Sequence, residues 1–106
     1  MSTPIEGTYA AVLVPRKATG EIDEAAFCQL LEFLLAGGIG GFAINGATGE
    51  FCLTSEQEFE RLVTLAAEIV KGRGSFLAGI GSAGAESSIR LGRIASKAGA
   101  SALLMP

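Results

Sequence analysis

Three stretches of this 106-residue chain combine turn-forming residues with groups able to bind or react. They are Val14-Pro15-Arg16-Lys17, then Asn45-Gly46-Ala47-Thr48-Gly49-Glu50, then Gly79-Ile80-Gly81-Ser82-Ala83-Gly84. In the second, glycines at 46 and 49 allow a tight turn. The amides of Ala47 and Thr48 can then point into one concavity, a small anion nest, with the Thr48 hydroxyl beside them. Such a site suits a carboxylate or a phosphate. An ordinary glycine-rich turn with an exposed threonine accounts for the same residues equally well. The third stretch spells G-x-G-x-x-G, but dinucleotide binding also wants an acid about 20 residues later to hold a ribose. No Asp or Glu follows Glu86, so a tight strand-to-helix turn is the better reading.

The other reactive groups are few. There is no histidine, which excludes Ser-His-Asp and Cys-His nucleophile systems and His-containing zinc sites. Cys28 and Cys52 are too far apart for a CxxC motif and too few for a disulfide framework. Cys28 reads as a core thiol, and packing is the preferred role for Cys52 as well. Of the three lysines, Lys71 and Lys97 fall at helix ends, where a cation near the last carbonyls is expected. Lys17 lies in a loop, with nothing nearby to lower its pKa and make it a nucleophile. Tyr9, the single tyrosine, should point into packing. No metal and no cofactor is expected.

The elements that must position these loops follow from periodicity. Thr8–Val14 is a near-continuous apolar run ended by Pro15, the pattern of a strand buried on both faces. Asp23 is a good N-cap for a helix with its apolar stripe at Phe27, Leu30, Leu31, Leu34 and Leu35, stopped by Gly37-Gly38. A second strand is expected over 41–45. Ser55 with Glu58 forms a capping box for a second helix, whose stripe runs from Phe59 to Val70 and which Lys71-Gly72 closes. A third strand is expected over 75–78, a third helix from Glu86 to Gly99, and a fourth strand over 102–105.

Strands alternating with amphipathic helices make an α/β chain, βαβαβαβ, with a parallel sheet and right-handed crossovers. Four such strands would leave two open edges and an uncovered face, which proteins usually hide. A (β/α)8 barrel takes about 250 residues, so residues 1–106 read as a single domain that is the amino-terminal half of a TIM barrel. Its active-site loops would lie at the carboxyl ends of the strands, which are the three stretches above. The net charge of −3 excludes a basic nucleic-acid binder. No run reaches the ~18 apolar residues of a membrane helix. The first residues lack the pattern of a signal peptide, so a cytoplasmic setting is expected.

The residues Gly46-Ala47-Thr48-Gly49-Glu50, between Phe42-Ala43-Ile44-Asn45 and Leu53-Thr54-Ser55-Glu56-Gln57-Glu58, resemble the G-[ST]-T-G-E signature of the dihydrodipicolinate synthase / N-acetylneuraminate lyase family. Leu13-Val14-Pro15, Ala78-Gly79-Ile80-Gly81-Ser82 and Lys97-Ala98-Gly99-Ala100 with Leu103-Leu104-Met105-Pro106 are similar to other segments of the family, in register along the chain. The resemblance implies a (β/α)8 barrel, commonly a homotetramer, that forms a Schiff base with pyruvate or a related 2-oxo acid. It implies that Thr48 contacts the acid's carboxylate, that Gly46 and Ala47 help bind it, and that Gly49 and Glu50 shape the loop. The family has Ser or Thr where this chain has Ala47, so a proton relay through that hydroxyl is missing, while the backbone amide remains. Val14 and Arg16 also depart from the pattern. The family's Schiff-base lysine is on strand six and its tyrosine on strand five, and none of Lys17, Lys71 and Lys97 matches. The expectation is therefore a lyase of class I aldolase type as an intact family member, with these 106 residues inactive alone. The alternative is a non-catalytic half-barrel that self-associates or binds only small carboxylates.

Overall fold

The structure, a computed structural model, describes residues 9–45, 55–81 and 84–104. Along the chain come β1 (Tyr9–Ala11), α1 (Glu24–Ala36), β2 (Gly41–Ile44), α2 (Glu56–Val70), β3 (Ser75–Gly79), α3 (Ala85–Ala98) and β4 (Ala102–Leu104). The strands form one parallel sheet in the order β1-β2-β3-β4. Among the described residues β1 and β4 are its edges. The described chain is a plate of 35 × 35 × 19 Å, thin because sheet and helices make two layers.

The local signals account for most boundaries. Asp23 caps α1 by accepting from the Ala26 amide at 3.1 Å. Gly38 follows with φ +95°, a conformation that glycine adopts without steric cost. The Ser55–Glu58 capping box of α2 is present in both directions, at 3.1 and 3.0 Å. Gly99 ends α3 in the left-handed conformation, with φ 108°. α3 starts at Ala85, one residue earlier than the acid at 86 suggests, with Gly84 as N-cap.

The core lies between the layers. Phe27 of α1, Phe42 of β2, Phe59 of α2 and Phe76 of β3 are its four largest fully buried side chains. Each contributes roughly 1.5–3 kcal/mol of transfer free energy. Phe42 and Phe76 are partners in register, so the two central strands present neighbouring rings to the helices. α2 is the central helix and packs on both α1 and α3. That position buries Phe59, Leu62, Val63, Leu65, Ala66 and Val70. α1 has one helical neighbour among the described residues, so Leu30, Leu34 and Leu35 of its stripe are only half-buried.

β1 corrects the expectation of a long strand buried on both faces. It covers only Tyr9–Ala11, extended by one bond from the Val12 amide to the Ala43 carbonyl at 3.2 Å. Val12 is buried against the helices, but Ala11 is exposed and Leu13 is 59% exposed. An edge strand has one partner, and no described element covers the sheet face opposite the helices. The apolar run 8–14 therefore overstates both the length of the strand and its burial. β2 likewise stops at Ile44, because Asn45 turns the chain with φ 61°. Gly79 joins β3, and β4 is described as Ala102–Leu104. Among the described residues no helix is long and apolar enough to cross a membrane.

Candidate functional site

All four strands point the same way, so their carboxyl ends share one side of the sheet. Three described segments meet there: the loop after β1, the end of β2 at Asn45, and Gly79 to Gly81 after β3.

The loop after β1 is held by its own backbone. The Lys17 amide donates to the Glu21 carbonyl at 2.7 Å, and the Asp23 amide donates to the Pro15 carbonyl at 2.9 Å. Arg16 and Ile22 form an antiparallel bridge. This geometry sends the Arg16 guanidinium across to α2. Its Nη1 donates to Glu58 Oε2 at 2.8 Å and to the Gly20 carbonyl at 2.8 Å, while Nη2 reaches Glu58 Oε1 at 3.4 Å. Glu58 is also the acid of the α2 capping box, so one carboxylate joins the β1 loop to the first turn of α2. Within the pair the two charges offset each other.

The Arg16 guanidinium, and after it the Ser55 amide, hold the Glu58 carboxyl below its ordinary value. A depressed carboxylate contributes stability that is present above the ordinary value and lost as pH falls through the folded-state one. Glu58→Gln keeps a side chain able to cap but removes the ion pair. Both partners are 28% exposed, so the loss should be up to about 1 kcal/mol near neutral pH. It should shrink toward zero below the usual glutamate value of 4.5. Chemical denaturation of the two proteins across pH checks this. An undiminished difference at low pH would assign the effect to the cap instead.

Asn45 makes the second connection. It is 2% exposed, and its Nδ2 donates to the Gly79 carbonyl at 3.1 Å, tying β2 to β3 at their carboxyl ends. Its Oδ1 is buried and has no hydrogen-bond partner among the described residues. The segment 46–54 therefore leaves from an anchored residue, Asn45, and arrives at another, Ser55.

The proposed contacts of Gly46, Ala47 and Thr48, and the loop-shaping roles of Gly49 and Glu50, lie outside the described residues, as does Cys52. Their described flanks are Asn45, at the carboxyl end of β2, and Ser55, the N-cap of α2. Lys17 is exposed on the β1 loop; Lys71 is the C-cap of α2, and Lys97 lies in the last turn of α3. Those two are at the amino ends of the strands, away from the loops in question. Cys28 is half-buried against the core, and burial pushes its thiol up, which makes it a packing residue and a poor nucleophile. Tyr9 also lies at the amino end, where its hydroxyl meets Ser75 Oγ across β2. Gly79, the first glycine of G-x-G-x-x-G, serves as acceptor for Asn45.

Sequence reasoning placed Arg16 and Asn45 in candidate loops and Glu58 in a capping box, but gave none of them the connecting role that the structure shows. The available signal for Asn45 was the Asn-Gly pair at the end of a strand, since asparagine tolerates positive φ better than most residues. No local signal pairs Arg16 with a glutamate 42 residues away.

The chain matches the dihydrodipicolinate synthetase family over residues 4–105. It is 40% identical over 99 residues to the 4-hydroxy-tetrahydrodipicolinate synthase of Parvibaculum lavamentivorans, covering 93% of this chain and 34% of that protein. The corresponding synthase of Syntrophobacter fumaroxidans is 40% identical over 100 residues, covering 94% and 34%. Among solved structures, the 4-hydroxy-tetrahydrodipicolinate synthase of Methylacidiphilum fumariolicum SolV superposes with a TM-score of 0.87 at 38% identity, covering 96% of this chain and 34% of that one. The dihydrodipicolinate synthase of Aquifex aeolicus gives 0.88 at 29% identity, covering 95% and 34%. The chain thus spans about a third of the length of the relatives it matches. Those relatives are TIM barrels, and the four parallel strands match the amino-terminal half of one. Sequence and backbone agree from end to end of the match, and this chain belongs to the dihydrodipicolinate synthetase family.

Proposed function

We propose that this chain, a single domain, supplies the carboxylate-binding loop of a Schiff-base-forming lyase or aldolase that acts on pyruvate or a related 2-oxo acid. What supports the reading is the family signature Gly46-Ala47-Thr48-Gly49-Glu50 in a chain that matches the family over residues 4–105, lying in sequence between Asn45, at the carboxyl end of β2, and Ser55, the N-cap of α2. In this reading the amides of residues 47 and 48 and the Thr48 hydroxyl hold the acid's carboxylate. A lysine from the part of the barrel that these four strands do not form condenses with the neighbouring carbonyl. The imine then acts as an electron sink for making or breaking a carbon–carbon bond. Gly49 and Glu50 hold the loop's shape. Ala47 offers its amide but no hydroxyl, so any proton relay runs through other groups. The intact protein is a cytoplasmic homo-oligomer in this reading, with no bound cofactor.

A hybrid tests it directly. This chain replaces the matching third of the Parvibaculum lavamentivorans synthase, to which it is 40% identical. After pyruvate and borohydride, intact mass spectrometry should show one pyruvyl adduct on the hybrid and none on the 106-residue chain alone. A hybrid that melts cooperatively yet takes no adduct would overturn the assignment.

A second reading is a non-catalytic half-barrel that pairs with its own copy. The exposed Leu13 and the outer edges of β1 and β4 favour it. Sedimentation of the purified chain decides, because a clean monomer with cooperative unfolding argues against pairing.

A further inference from the structure

The amino ends of the strands, opposite the candidate loops, hold a separate cavity. It has a volume of about 400 Å³ and lies between the last turns of α2 and α3 and the starts of β3 and β4. Small-molecule sites commonly occupy about 300–1,000 Å³. Ala67, Val70 and Ala98 give it an apolar side. Glu68, Lys71, Gly72 and Ser101 give it a polar one.

Hydrogen-bond accounting gives the polar side a sign. The amides of Arg73 and Gly74 donate to the Val70 carbonyl, those of Gly99 and Ala100 to the Ala95 carbonyl, and that of Ser101 to the Phe76 carbonyl. These donors are spent. The carbonyls of Gly72 and Ala98 accept from no amide among the described residues. Two helices end at the cavity, and the carboxyl end of a helix carries roughly half a negative charge. The Ser101 hydroxyl in the wall is buried without a hydrogen-bond partner among the described residues, and a change of χ1 rotamer is enough to present it to a donor. Glu68 and Lys71 are both exposed, and neither forms an ion pair among the described residues. Their charges offset each other, which leaves the helix ends to set the balance. The nearby cations do not change it. Arg73 donates to Glu32 and to the Ile69 carbonyl, and Lys97 lies in a different groove, with Glu60 and Thr64.

We infer that this cavity between the carboxyl ends of α2 and α3 is a binding site for a small alkylammonium ion. An ammonium group has three donors and no acceptor, which suits a wall of carbonyls, a carboxylate and an unpartnered hydroxyl. Its N–H groups are met by the Gly72 and Ala98 carbonyls and the Ser101 hydroxyl, with the Glu68 carboxylate at the rim. The alkyl chain rests on Ala67 and Val70. Lys71 opposes the ligand's charge and limits the affinity. The site lies at the other end of the sheet from residues 46–48 and does not depend on how that loop is read.

The test uses the 106-residue chain and two probes of one carbon skeleton, n-propylammonium and the neutral n-propanol. Amide chemical shifts are followed in NMR titrations. Saturable shifts at Gly72, Gly99 and Ser101 are expected with the ammonium, at concentrations where the alcohol produces none. Glu68→Gln should weaken ammonium binding by about two- to five-fold, the effect of one exposed charge. Lys71→Met should strengthen it by a similar factor. Both side chains are exposed, so both variants should melt like the unaltered chain. Equal binding of the alcohol overturns the inference, because the cavity then selects only apolar matter. Reversed signs in the two variants overturn it as well, because the cavity then favours anions. Absence of saturable shifts with the ammonium overturns it outright.

Discussion

Gly41→Val is expected to cost at least about 3 kcal/mol, out of the roughly 5–15 kcal/mol that holds a domain of this size together. The reason is geometric. A Cβ on Gly41 would lie 2.0 Å from the Ser75 carbonyl oxygen and 2.7 Å from the Tyr9 ring. The first neighbour is backbone in the adjacent strand and cannot rotate away. β2 and β3 would have to part at the register pair Gly41–Ser75, which adjoins the buried pair Phe42–Phe76. The Tyr9 ring passes over this position to reach Ser75, so its hydroxyl contact would be lost as well. Overpacking in a rigid core costs about 1–3 kcal/mol even where side chains can adapt. Gly84→Ser is the matched control: nothing lies within 4 Å of its Cβ position, and the residue is an N-cap in extended conformation. That change should stay within about 0.5 kcal/mol. Thermal unfolding of both variants checks the pair of expectations. A Gly41→Val protein that melts like the unaltered chain would mean that the strands are farther apart than described.

The same position shows what was legible in the sequence and what was not. The order βαβαβαβ, the caps at Asp23 and Ser55 and the stop at Gly99 are written locally, within three or four residues of each other. A helix needs only its own neighbourhood to show where it begins. The requirement for glycine at 41 arises from Ser75 and Tyr9, both more than 30 positions away, and no local pattern encodes it. Asn45 with Gly79 is separated by 34 residues, and Arg16 with Glu58 by 42. These contacts tie the end of β2 to the end of β3, and the loop after β1 to the start of α2. Sequence patterning assigns the loops to the carboxyl ends of the strands; only the folded sheet shows which described residues join those ends. The error over β1 has the same origin. An apolar run reports hydrophobicity, while burial depends on what covers each face. Val12 faces the helices and is buried, whereas Leu13 faces away and is exposed. The five residues of the signature itself were legible from resemblance, and their geometry lies outside the described residues.

Thr48→Val in the hybrid with the Parvibaculum lavamentivorans synthase should produce the largest functional effect. Valine matches threonine in shape but removes the hydroxyl that the proposed loop presents to the carboxylate. A hydrogen bond to a charged group contributes about 1.5–3 kcal/mol, and each 1.4 kcal/mol is about ten-fold in binding. The pyruvate concentration that half-saturates adduct formation should therefore rise by roughly 10- to 100-fold. The limiting rate should change less, because the carboxylate is bound both before and after the amine adds, and uniform binding acts on KM more than on kcat. Ala47→Ser separates the two roles of the loop. It preserves the backbone amide and restores a hydroxyl, so half-saturation should hold while the limiting rate rises if a missing relay slows the reaction. Lys17→Met should change neither quantity, since Lys17 lies exposed on the β1 loop and matches no Schiff-base position. An unchanged half-saturation in Thr48→Val would remove the carboxylate from residues 46–48. The charge of the 2-oxo acid would then have to be met by the other half of the barrel.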